Sequence, residues 1–196
     1  MRPFLILLSL VIWTCDLHAQ NEYGCGVVQF KKLTSIYDKH AVTDSDFAIT
    51  VKLVKQLEKL RCGDYTGKKN GSEYVMGTRT RLFGDICLKK DDTTSVSEYI
   101  NYLNRQHGSA DENLSYQFER IFEKHPEFVL SKIGNNKYLL DHLVRGFWNN
   151  HYSKHLTTKN YKQIFFEYYS QLKEDYPQYK KQVDYLLHSI YLEVKR

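Results

Sequence analysis

The sequence predicts an all-α protein: a single domain of about eight or nine helices behind an N-terminal export signal, packed as an irregular bundle or a short α-solenoid-like array. Three observations lead there. Apolar residues recur every three to four positions through most of the chain, the rhythm of amphipathic helices. Residues that cap or end helices fall between these stretches. No stretch reads convincingly as a strand.

Residues 1–19 read as a signal peptide. Arg2 supplies the positive start, Phe4 to Trp13 the apolar run, and Ala19 a small residue before the cut. That run is too short to span a bilayer, which takes about 20 residues. No later stretch approaches that length, so residues 20–196 are expected to form one domain with no transmembrane segment, exported to the periplasm or secreted. Removing the leader takes away Arg2 and Asp16 and leaves the formal net charge at +5. A mild positive balance favours acidic partners or anionic surfaces. It falls short of the dense basic patch of a nucleic-acid binder, so no nucleic-acid partner is expected.

Taken in order, the first helix is expected over Val27 to Tyr37. The second starts at the caps Thr43 and Asp44, presents Phe47, Thr50, Val54, Leu57 and Leu60 on one face, and stops at Cys62-Gly63. Residues 63–71 read as a flexible, turn-rich loop. A third helix is expected from Ser72 to Lys89, weakened by Gly77 and Gly84 at about 1 kcal/mol each. Ser95-Val96-Ser97-Glu98 fits a capping box, opening a helix that ends at Gly108. Leu114, Phe118, Ile121 and Phe122 mark the next, which must stop near His125 because Pro126 follows. Pro126 suits the first turn of a helix reaching Ile133-Gly134. Further helices are expected at 136–150, 158–176 and 177–194. The segment Glu123-Lys124-His125-Pro126-Glu127-Phe128 echoes Glu174-Asp175-Tyr176-Pro177-Gln178-Tyr179, as two proline elbows of a repeat would.

Cleavage leaves Cys25, Cys62 and Cys87. If helices one and two form an antiparallel hairpin, the start of one lies beside the end of the other, which brings Cys25 to Cys62. Cys87 would lie roughly 20 Å away along helix three, beyond the ~7 Å Cα separation a bridge tolerates. A Cys25–Cys62 disulfide and a buried free Cys87 are therefore expected.

No motif specifies a reaction, and no cofactor is implied. His151 and His155 share a helical face at i and i+4, but they lack the glutamate of a zincin motif and have Lys154 between them, so no metal site is assigned. Asp38, His40, Asp141 and His142 could be combined with a serine on paper, yet no Gly-x-Ser-x-Gly elbow is present. The aromatic load is the distinctive feature, with nine of the 16 tyrosines in the C-terminal third. Tyrosine suits interfaces because it buries a ring and keeps a polar tip. Tyr161, Phe166, Tyr169, Tyr176, Tyr185 and Tyr191 are expected to form a partner-binding surface, rimmed by Lys159, Lys162, Lys173, Lys180 and Lys181. The function expected is a non-enzymatic module that binds a protein or peptide outside the cytoplasm, an inhibitor or immunity-type protein being one form. The alternative is an extracytoplasmic hydrolase or metal-dependent enzyme.

Overall fold

The computed structural model describes residues 26–62, 64–69, 72–106, 112–152 and 158–194. Residues 1–19, expected as the leader, lie outside the described residues, as does Cys25. Among the described residues the protein is all-α in character, with nine α-helices. The chain divides into two compact units, Met1–Phe83 and Gly84–Arg196.

In the first unit α1 spans Val27–Tyr37 and α2 spans Asp44–Lys59. They pack against each other through Phe30, Leu33 and Ile36 on α1 and Phe47, Leu53, Val54 and Leu57 on α2. Thr43 starts α2 with a reciprocal box: its hydroxyl accepts from the Asp46 amide, while the Asp46 carboxylate accepts from the Thr43 amide and hydroxyl. A left-handed position that ends α2 falls on Arg61, at φ 57°, two residues before the glycine the sequence suggests, which lies outside the described residues. The Cys62 amide then donates to the Leu57 carbonyl and the Arg61 amide to that of Glu58, which satisfies two orphan carbonyls.

Two expectations are corrected after Cys62. The segment 63–71 contributes a strand, β1 (Asp64–Lys69), and Ser72–Thr78 forms a second strand, β2, in place of a helical start. The strands pair antiparallel from Asp64 with Thr78 to Lys69 with Ser72, with an irregularity between Tyr65 and Thr66. The third helix, α3, begins only at Arg79 and runs to Lys90. The physical reason is visible in residue type. Tyr65, Thr66, Tyr74 and Val75 favour a pleated strand, and Asn70-Gly71 between them is the pair that tight hairpins select. Within the first unit the Phe83 ring stacks on Phe47 at 6.4 Å.

In the second unit α4 spans Thr93–Arg105, α5 Glu112–Lys124, α6 Pro126–Ile133, α7 Lys137–Tyr152, α8 Thr158–Asp175 and α9 Lys180–Val194, the last preceded by a 3-10 turn at Pro177–Tyr179. The capping box of α4 sits three residues earlier than expected. Asp92 is its N-cap and Ser95 the third helical residue, each accepting from the other's amide. Both proline elbows are present. His125 (φ −132°, ψ 52°) and Tyr176 (φ −129°, ψ 61°) hold the same backbone shape before Pro126 and Pro177. Beyond the elbows the likeness ends, since α6 is a short helix closed by Gly134 while Pro177 opens a 3-10 turn. Helix α5 lies at the heart of this unit, with Leu114, Phe118, Ile121 and Phe122 all buried. No described helix is long and apolar enough to cross a membrane.

Candidate functional site

Three regions hold the side chains with chemical or binding potential. The first is a polar seam between α5 and α7. Ser115 and Glu119, four apart on α5, meet His142, Gly146 and Asn150, each four apart on α7, because four-residue spacing keeps side chains on one helical face. Ser115 Oγ lies 2.7 Å from His142 Nδ1. Asn150 Nδ2 donates to Glu119 Oε2 at 2.5 Å and to the Tyr116 carbonyl at 3.1 Å. Between these pairs, Gly146 lets the backbones close: a Cβ there would stand 2.1 Å from the Ser115 carbonyl oxygen. The Tyr138 ring meets His142 edge-on at 4.6 Å.

A serine hydroxyl bonded to an imidazole is the pairing nucleophilic catalysis uses. Here Ser115 is 3% exposed, His142 4% and Glu119 fully buried. A nucleophile must reach its substrate, and in this structure Ser115 and His142 lie buried between α5 and α7, bonded to each other.

The second region is the C-terminal aromatic cluster. Tyr169 is fully buried, stacked on Phe122 at 6.4 Å and edge-on to Phe147 at 5.8 Å. This corrects its expected place on a partner-binding surface: a ring that closes the core presents no face to a partner. Phe166 is 43% exposed. Tyr176 and Tyr185 are half-buried, and the Tyr185 hydroxyl donates to Asp141 Oδ1 at 2.6 Å. Burial and that carboxylate both push the Tyr185 phenol above its usual pKa. Tyr161 lies on α8 and Tyr191 on α9, with side chains outside the described residues. The expected basic rim is reduced too, because Lys173 is paired with Asp184 at 2.5 Å.

His151 falls in the last turn of α7 with its side chain outside the described residues, and His155 lies outside them altogether. Among the described residues no three His, Cys, Asp or Glu side chains are grouped to hold a metal ion. Cys87 is buried and free. Burial, reinforced by Glu98 and Asp92, holds its thiol well above the ordinary pKa, which disfavours the thiolate.

The third region is the open flank of α2, where Leu60, expected on the same face as the buried Phe47, Thr50, Val54 and Leu57, stands exposed. The inward face of α2 is filled by Phe47, Thr50, Leu53, Val54 and Leu57. Ile49 and Leu60 remain 45% and 44% exposed. They are eleven residues apart, about three helical turns, so they fall on one flank, with Gln56 between them. Beside them Lys52, Lys55 and Lys59 all stand exposed. On α1 Val28 is 63% exposed, and Lys31 and Lys32 are exposed near it in sequence. Ile49 and Leu60 both lie at the margin of the buried face, beside Leu53, and that this margin stays open could be seen only once the face itself was filled.

The fold and these surfaces describe a small helical protein with a buried polar seam in its second unit and a row of exposed lysines on α2. No protein-family model matches the chain, and neither does any curated protein or solved structure.

Proposed function

We propose that the chain is an exported, non-enzymatic module that binds a protein or peptide outside the cytoplasm. The observation that carries this reading is the outer flank of α2. There Ile49 and Leu60 keep nearly half their surface in water although the same helix already buries a complete apolar face. Apolar side chains aligned on an open flank and edged by charge are the make-up of a contact surface. Against the rival hydrolase stands the enclosure of Ser115 and His142, the described serine–histidine pair.

Export is supported by the leader-like start of the sequence and by a cysteine arrangement that suits an oxidising compartment. We assign a Cys25–Cys62 bridge. Of the two described cysteines only Cys87 is free. Gly26, next to Cys25, approaches Cys62 so closely that a Cβ on it would lie 3.2 Å from the Cys62 sulfur. Closing that loop would stabilise the fold by about 3.5–4 kcal/mol on the chain-entropy account.

Site-specific photocrosslinking in the native host tests the binding reading. A benzophenone side chain placed at Ile49 or Leu60 should give one discrete protein adduct, and the same group at exposed Glu174 should not. Equal labelling from all three positions, or none from Ile49 and Leu60, would refute it.

A further inference from the structure

We infer that the outer face of α2 recognises an amphipathic helix of a partner protein that carries carboxylates at matching spacing. This deepens the binding-module reading and rests on it. Lys52 and Lys59 are seven residues apart, close to two turns, and Lys55 falls between them, so three ammonium groups track about 10 Å of helix. None of the three forms an ion pair with a described residue, and neither does Lys31 or Lys32 on α1. The acids of α2 behave differently. Asp46 is engaged by Lys39 at 2.5 Å and sits with Asp44 in the first turn of α2. Glu58 is nine residues from Ile49, half a turn out of phase, and so points away from the apolar flank.

The helix therefore offers a row of three exposed lysines, none of them ion-paired with a described residue, next to the Ile49–Gln56–Leu60 stripe. Lysine at the helix end is also favoured by the macrodipole, which accounts for Lys59 alone and not for the row. A complementary surface needs acids at i, i+3 and i+7 with leucine-like residues beside them. A helix supplies that pattern directly, with opposite charges steering its approach and the apolar stripe holding it.

The test uses the full mature chain and a dye-labelled synthetic helical peptide with glutamates at i, i+3 and i+7 flanking leucines, followed by fluorescence anisotropy. A second peptide has glutamine for glutamate, and a third has lysine. The glutamate peptide should bind and the glutamine peptide should bind about tenfold more weakly, with affinity falling as salt is raised. Replacing Lys52, Lys55 and Lys59 together by glutamine should cost about tenfold. Replacing them by glutamate should abolish binding and transfer preference to the lysine peptide. Circular dichroism of both variants verifies the fold, which exposed lysines do not support. Indifference to peptide charge, or binding only to phosphatidylglycerol vesicles, would overturn the inference. A persistent crosslink at Ile49 with no peptide binding would place the fault in the partner's chemistry; loss of both would remove the module reading as well.

Discussion

Gly146→Ala is the sharpest test of how the second unit is held together. On an exposed helix this change stabilises by about 1 kcal/mol, since alanine has the higher helix propensity. In α7 the new methyl would stand 2.1 Å from the Ser115 carbonyl oxygen and 2.6 Å from Glu119 Cβ. A carbon–oxygen contact rests near 3.3 Å, so α5 and α7 must part by more than ~1 Å. Overpacking of that kind costs about 1–3 kcal/mol. The same displacement stretches the Ser115–His142 contact, now 2.7 Å, and the Asn150–Glu119 bond, now 2.5 Å. A buried hydrogen bond contributes about 1 kcal/mol net, and more where a charged partner is stranded. With the propensity gain set against these losses, a destabilisation of about 2–4 kcal/mol is expected. In a chain of this size that lowers Tm by roughly 5–15 °C. Urea and thermal unfolding followed by far-ultraviolet circular dichroism measure it. A Gly146→Ala protein as stable as the parent, or more so, would show that the backbones do not approach at this point.

The cysteines give a chemical test: under non-reducing conditions native protein should resist alkylation, denatured protein should take one label at Cys87, and peptide mapping should yield Cys25 joined to Cys62. A Cys62–Cys87 peptide, or rapid native labelling, would contradict the assignment. The cap of α2 gives a pH test. Hydrogen bonds from Lys39 and Thr43 hold the Asp46 carboxyl below its ordinary pKa. A folded value below the unfolded one, about 3.9, means the stabilisation is present above roughly pH 4 and lost as pH falls through the folded value. Asp46→Asn should therefore lower Tm at neutral pH, and its gap from the parent should close in acid; a gap that stays constant would exclude the carboxylate as its cause.

The helices were legible where the apolar rhythm is single-sided. Phe30, Leu33 and Ile36 fix α1 over the range the sequence predicts, and Pro126 and Pro177 mark both elbows because a proline ring excludes the helical conformation in the residue before it. The β1–β2 hairpin was missed although its signal was present. Val75, Leu82 and Ile86 have near-helical spacing, and that rhythm, real from Arg79 onward, was extended backward across residues that prefer a strand. Arg61 was missed as the helix terminator because glycine is the usual occupant of a left-handed position and Gly63 lay two residues on. Tyr169 was misplaced for a different reason. Spacing reports which residues share a face, but not whether another helix covers it, and Phe122 and Phe147 come from helices distant in sequence.

The same limit explains the polar seam. Ser115 and Glu119, and His142, Gly146 and Asn150, can each be seen as a row in the sequence, but only packing reveals that the rows face each other. Their chemistry then reads as a register device. Sliding α7 by one turn, about 5.4 Å, would bring His142 or Asn150 against the Ser115 carbonyl, where there is no room even for a methyl group. The slip would also withdraw the Asn150 amide from a fully buried Glu119, and a buried acidic group that loses a hydrogen-bond donor is destabilising. An all-apolar interface would tolerate neighbouring registers far better. The residues that most resemble catalytic groups thus also hold two helices in register, whereas Ile49, Lys52 and Lys55 stand exposed on α2.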